Sequence, residues 1–216
     1  MSALWGVGQY VDRHDRRAAW EVGNDEMNRA IGAAPNALAS LGVDHGARVL
    51  FMSMLSEAAH FWPLIVGCML TGAQLSCADA TNAEAVRVRM FSQLIEYHAA
   101  VGITPAILDG LDALDTSPHE VFGSIPVVAA RPGAYERLAA MGMAAHRFVL
   151  IGPAVGIGTE PGGPAWVEVA EWELERDSDG FVTISNRLDR ATTFDRLRTS
   201  VRGEVIDAHG VIPAAR

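Results

Sequence analysis

Residues Arg48–Cys77 read RVLFMSMLSEAAHFWPLIVGCMLTGAQLSC, and this stretch decides the fold. It opens with Arg48–Leu55, a nearly continuous apolar run of the kind found in strands buried on both faces. Ser56 can cap a helix whose Ala58, Phe61, Trp62, Ile65 and Met69 face inward, and Gly72 is its natural stop. Ala73–Cys77 then reads as a short second strand. Strand, helix and strand in this order form a parallel crossover unit.

The alternation continues in both directions. Upstream, Met27, Ala30, Ile31, Ala34, Leu38 and Leu41 recur at helical spacing, with Pro35 as a kink and Gly42 as the stop. Downstream, Asn82 opens a helix through Val86, Met90, Leu94 and Ile95, and Ala99–Thr104 is a third strand. Ile125–Ala130 and Arg147–Ile151 supply a fourth and a fifth, joined by a helix over Gly133–Met143. The expectation is an α/β fold: a mostly parallel sheet with helices on both faces, a Rossmann-like layer, with a small β-rich C-terminal extension. Residues 1–152 form the α/β unit in this reading, and the glycine- and proline-rich 153–165 a linker. Residues 166–216 are an acidic β extension ending in an Arg-rich tail. In it, Val167, Val169, Trp172 and Leu174 predict an edge strand and Phe181–Ile184 another.

Composition narrows the chemistry. The 216 residues are half apolar and carry a net charge of −9, so no nucleic-acid partner, which would require a basic face, is expected. All 17 basic residues are arginine. The absence of lysine excludes Schiff-base chemistry and the lysine of a phosphate-binding loop. The uncharged stretch between Glu57 and Asp79 is interrupted by Pro63, Gly67, Gly72, Gln74 and Ser76, so no membrane span is expected. The charged N-terminal segment has no signal-peptide character, and Cys68 and Cys77 read as reduced core thiols, so a cytoplasmic location is expected.

Candidate sites are sparse. Gly152-Pro-Ala-Val-Gly-Ile-Gly158 follows a strand as a dinucleotide-binding turn would, yet Pro161, Gly162, Gly163 and Pro164 deny it the helix that must receive the pyrophosphate. The seven histidines, among them His60 and His98 on predicted helices, are scattered without metal-ligand spacing. The carboxylates of 168–179, Glu171 included, read as a solvated acidic edge. No catalytic residue, metal or cofactor follows from these patterns.

From about Met27 to Gly110 the chain resembles the N-terminal part of the adenylate-forming enzymes, the acyl-CoA synthetase and AMP-binding superfamily. The resemblance rests on Asn36-Ala-Leu-Ala-Ser-Leu-Gly-Val-Asp-His-Gly-Ala-Arg-Val-Leu-Phe51, similar to the family's helix, Leu-Gly-Val and Gly-Asp-Arg-Val strand, with Ala47 in place of the Asp. It continues through Ser56–Ala73, similar to the helix ending in Lys-Ala-Gly-Ala, with Thr71 near the lysine's place, and through Asn82–Thr104. The resemblance implies that the family's Thr-Ser-Gly-Thr-Thr-Gly-x-Pro-Lys-Gly phosphate loop would fall at Phe181–Arg190. Only Thr183, Ser185 and Asn186 remain there as a degenerate cofactor-binding position; the glycines are missing, and Leu188 and Asp189 bring bulk and negative charge.

Three functions are compatible with this reading. The first is a truncated, acyl-CoA synthetase-like protein without adenylating activity of its own, which binds an acyl or CoA-type small molecule and associates as a homo-oligomer or with a protein partner. The second is a small-molecule enzyme of different chemistry, with substrate at the carboxyl ends of the strands. The third is one subunit of a split acyl-CoA ligase whose other chain brings the phosphate loop and the lysine.

Overall fold

The computed structural model describes residues 3–214. The chain begins with an antiparallel hairpin, β1 (Leu4–Val11) and β2 (Arg17–Gly23), which the sequence patterns did not reveal. Its turn is held by the Asp12 carboxylate, which accepts from the backbone N–H groups of His14 and Arg16 at 2.8 and 3.0 Å. Helix α1 (Asn24–Ser40) follows and carries Pro35 within it, and β3 (Arg48–Met52) comes next. A 3-10 turn over Leu55–Glu57 leads into α2 (Ala58–Thr71), which Gly72 ends in the left-handed conformation. Then come β4 (Gln74–Ala78), α3 (Ala85–Leu94), β5 (Ala99–Ile103), α4 (Pro105–Asp112), α5 (Pro118–Phe122), β6 (Val127–Ala130), α6 (Ala134–Ala140) and β7 (His146–Ile151). The remaining strands are β8 (Ala154–Gly158), β9 (Ala165–Trp166), β10 (Trp172–Arg176), β11 (Phe181–Asn186), β12 (Leu197–Ile206) and β13 (Gly210–Pro213).

Apart from the hairpin, the described strands form one sheet of eleven, in the order β10-β11-β12-β13-β9-β8-β7-β6-β5-β3-β4. From β4 to β7 every pairing is parallel; from β7 to β10 every pairing is antiparallel. The predicted α/β layer and its β-rich C-terminal extension are therefore two halves of a continuous sheet.

Both faces of the parallel half are covered, as its unbroken apolar runs require. Successive residues of β3 point to opposite sides. Val49 and Phe51 pack with Leu38 of α1 and Phe61, Leu64 and Cys68 of α2. Leu50 and Met52 pack with Val88 of α3, Ile107 and Leu111 of α4, Phe122 of α5 and Leu138 of α6. A third cluster joins Trp20 and Val22 of the hairpin and Met27 of α1 to Val149, Ile151, Trp172, Leu174 and Ile184.

Three expectations need correction. First, α2 turns His60, Phe61, Pro63, Leu64, Gly67 and Cys68 inward, while Trp62 and Met69 are exposed. This helix contains no charged residue, so its hydrophobic pattern has no polar face to set the phase. Second, Cys68 is a buried thiol but Cys77 is exposed, and the two are free. Third, residues 153–165, expected to be a linker, contain β8 and the start of β9. Here Gly152, at φ +57°, and Pro153 form the tight turn that joins β7 to β8, while Gly156 and Gly158 lie within β8 itself.

Candidate functional site

The degenerate phosphate-loop position lies on β11. Thr183 is buried, and its hydroxyl donates to the Glu175 carbonyl at 3.4 Å. Ser185 Oγ accepts from the Arg196 N–H at 2.9 Å, and Asn186 Oδ1 accepts from the Phe194 N–H at 2.5 Å. The Asn186 amide also donates to the Leu188 carbonyl at 2.8 Å. Thr183 thus ties β11 to β10, and Ser185 and Asn186 close the turn towards β12. The structure places them in one strand and engages each with its own chain.

The turn after β11 instead sends Arg190 into the protein. Its guanidinium lies over the Trp172 ring, 3.8 Å from the centroid, and donates to Glu171 Oε2 at 2.5 Å. Arg29 of α1 donates to Glu171 Oε1 at 2.6 Å from the other side and reaches the Asp189 carbonyl at 3.0 Å. Glu26, also on α1, accepts from the Ala191 N–H at 3.2 Å and lies 3.8 Å from Arg190. The expected solvated acidic edge is therefore corrected at Glu171, which is buried among two arginines. Its neighbours Glu173 and Glu175 are exposed as anticipated.

Two clefts flank this region. One, of about 370 Å³, lies at the carboxyl ends of β3, β5 and β6, the usual ligand position in an open α/β sheet. Thr104 and Arg131, each the residue after a strand, line it together with Tyr10, Arg17, Glu57 and His60. Thr104 caps α4: its hydroxyl accepts from the Ile107 N–H at 3.3 Å and donates to the Ala80 carbonyl at 3.2 Å. Arg131 grips Glu57 through two parallel bonds of 2.6 and 2.7 Å, the fork geometry that matches a carboxylate. Burial pushes the Glu57 carboxyl up, but the Arg131 hydrogen bonds and charge, with the Met54 N–H, outweigh it and hold the group below its ordinary value.

The second cleft, of about 260 Å³, is mainly apolar and lies between α1, α2 and the strands β8 and β9. His60 lines both clefts. Its Nε2 sits 2.9 Å from the Gly152 carbonyl, which can only accept, so Nε2 carries the proton and Nδ1 offers a lone pair. Burial lowers the His60 pKa, which keeps the ring neutral.

Sequence reasoning missed Glu26, Glu171, Arg190 and Arg131 as site residues because they meet only in three dimensions. The one local signal was an acidic residue next to an inward tryptophan, Glu171-Trp172. The other histidines do not converge: His146 and His209 bond to backbone carbonyls on separate strands, and His98 accepts from the Arg48 N–H. Among the described residues, no group of three or more His, Cys, Asp or Glu side chains could hold a metal ion. Nor is any helix there long and apolar enough to cross a membrane.

No protein-family model and no curated protein matches the sequence. Solved structures do match in fold. A 2-hydroxyisobutyryl-CoA ligase in complex with 2-HIB-AMP and CoA superposes with a TM-score of 0.67 at 14% identity, over 97% of this chain and 56% of that one. The o-succinylbenzoate CoA synthetase of Bacillus subtilis gives 0.58 at 13% identity, over 100% and 50%. The N-terminal subdomain of Klebsiella oxytoca NpsA, in complex with anthranilyl-AMSN, gives 0.60 at 12% identity, over 97% and 63%. The chain spans about half the length of the ligases it matches. Its α/β architecture, with the parallel and antiparallel halves of one sheet, is the fold shared with acyl-CoA ligases and adenylation domains.

Proposed function

We propose that this chain is a binding protein on the acyl-CoA ligase fold, without adenylating activity of its own, working in the cytoplasm. The observation that carries this reading is the hairpin at Phe181–Arg196. Adenylation needs backbone N–H groups and a cation free to receive phosphate. Here Ser185 and Asn186 are engaged within the hairpin, Thr183 is bonded back to Glu175 on β10, and Arg190 is held by Glu171. The sequence has no lysine to take over the role. With ATP, magnesium and a panel of short-chain and aromatic acids, the protein is expected to release no pyrophosphate above background. Sustained, enzyme-dependent release would overturn the reading.

The ligand class we assign is an acyl or CoA-type small molecule at the carboxyl-edge cleft, supported by the cleft's place on the sheet and by Arg17, Thr104 and Arg131 in its lining. The partner we assign is a second copy of the chain, meeting along α3. Val86, Met90 and Leu94 repeat at helical spacing on that helix and stay 59%, 45% and 75% exposed. An isologous pairing covers the same stripe on both copies. Light scattering is expected to give a dimer, and Met90→Glu a monomer; a monomeric parent protein would remove this part of the proposal.

A second reading, an enzyme of different chemistry on the same sheet, is favoured by the convergence of Glu57, His60, Thr104 and Arg131 at the carboxyl edge.

A further inference from the structure

The 260 Å³ cleft presents an apolar surface even though charged residues stand behind it. Ala30, Ala33 and Ala37 of α1 form one wall, and Trp20, Leu64 and Ile157 close the other sides. Its polar lining residues fall into two groups. The side chains of Glu26, His60, Glu171 and Arg190 are buried and bonded to the protein: Glu171 to Arg29 and Arg190, Glu26 to the Ala191 N–H, and His60 to the Gly152 carbonyl. Their atoms without a partner, Glu26 Oε1, His60 Nδ1 and Arg190 Nε, are sealed from the cleft and offer it nothing. The charges behind the wall also cancel, two carboxylates against Arg29 and Arg190. Ser40, Thr159 and Glu168 form the second group; they are exposed and stand at the rim, in water.

Such walls hold water poorly. Water inside gives up hydrogen bonds that the walls do not return, so its release when an apolar molecule enters is favourable. The protein cannot remove the void by closing its helices. Helices α1 and α2 already touch at Ala34 and Gly67, where a Cβ added to Gly67 would lie 2.7 Å from that of Ala34. The volume exceeds the roughly 150 Å³ of an apolar cavity that takes benzene and lies below the roughly 300–1,000 Å³ of drug-sized pockets. The molecule that fits is therefore a single substituted ring. It is uncharged, because a charged group brought inside would lose its water and meet no free partner.

We infer that this cleft is a binding site for a small, uncharged aromatic molecule, recognised by shape and apolar contact rather than by a polar head. It goes beyond the function proposed above and does not depend on it. The acyl or CoA-type ligand is assigned to the carboxyl-edge cleft, and neither pyrophosphate release nor the dimer bears on this one.

Calorimetric titration of the whole chain with ethylbenzene, benzylamine and benzoate tests the inference. Benzylamine, protonated at neutral pH, has an ammonium where ethylbenzene has a methyl group, and benzoate places a negative charge on the same ring. Ethylbenzene is expected to bind at least about tenfold more tightly than either, with a negative heat-capacity change. Ala33 and Ala37 line this cleft and not the carboxyl-edge one. Ala33→Leu, which adds bulk to the wall, is expected to weaken ethylbenzene binding at least about tenfold, while circular dichroism and the urea midpoint stay those of a folded protein. Should that variant fail to fold, Ala37→Leu adds the same bulk from the next turn of α1. No binding of ethylbenzene, equal or tighter binding of either charged ring, or ethylbenzene binding unchanged in a folded variant would each overturn the inference.

Discussion

Glu171→Ala is expected to lower the unfolding free energy by about 3–5 kcal/mol, the cost of leaving a buried charge without its partner. Glu171 is the only carboxylate within hydrogen-bond distance of both Arg29 and Arg190 among the described residues. Without it, the Arg190 guanidinium keeps the face of Trp172 and a Glu26 oxygen 3.8 Å away, neither of which replaces a 2.5 Å charge-assisted bond. Arg29 is about one-third exposed and can turn to water, so the loss is felt mainly at Arg190. Glu173→Ala, two residues away on the exposed side of β10, is the control and is expected to stay within about 0.5 kcal/mol of the parent. Urea denaturation of the two variants gives the comparison. A Glu171 variant as stable as the Glu173 variant would show that the network contributes nothing net to folding.

Gly102→Ala is expected to be as damaging, for a reason that involves no charge. Gly102 sits in the middle of β5 at φ +89°, where an L side chain is strained. A Cβ there would lie 2.4 Å from the Met52 carbonyl oxygen of the neighbouring strand and 3.1 Å from the Phe61 ring. Neither neighbour can give way: Met52 O belongs to the backbone of the next strand, and Phe61 is wedged between Phe51 and Phe148. The same residue produces the shift in pairing between β5 and β6 across Val101 and Ile103. The combination of strained backbone and overpacking gives an expected loss of roughly 3–5 kcal/mol, seen as a lower urea midpoint or as insoluble protein. Gly32→Ala, in the interior of α1 with open space around it, is the opposite case and is expected to stabilise by about 0.5–1 kcal/mol. If both substitutions are neutral, the left-handed backbone of β5 is not a constraint.

The parallel half of the sheet was legible because its strands are buried on both faces and carry uninterrupted apolar runs, as in Arg48–Met52 and Ala99–Ile103. The antiparallel half was only partly so. Its strands interleave charged and glycine residues, as in Leu197–Ile206 and Ala154–Gly158, and pairing partners rather than composition make them strands. Helices α4 and α5 were missed despite local signals: Thr104-Pro105 and Ser117-Pro118 each set a capping hydroxyl before a proline at the first helical position. The phosphate-loop position was located by resemblance, and the structure accounts for its three polar residues by ordinary hairpin bonding. The charge network was illegible for a physical reason. Glu26 and Arg29 are one turn apart on α1, but Glu171 and Arg190 come from two distant loops, and only the folded sheet brings the four together.

The order of strands also sets the timetable of folding during synthesis. Strand β13 lies between β9 and β12, so β10, β11 and β12 join the sheet through the last described strand of the chain. On a ribosome, β3 to β9 can pair as they emerge, each beside a strand already made. The next three strands must wait, linked to one another but with no place on the growing edge, until Gly210–Pro213 has left the exit tunnel. Arg190 and Glu171 wait with them. The bonds of Glu171 and Arg190 to Arg29 and Glu26 on α1 are therefore among the last to form, on a helix that is already in place.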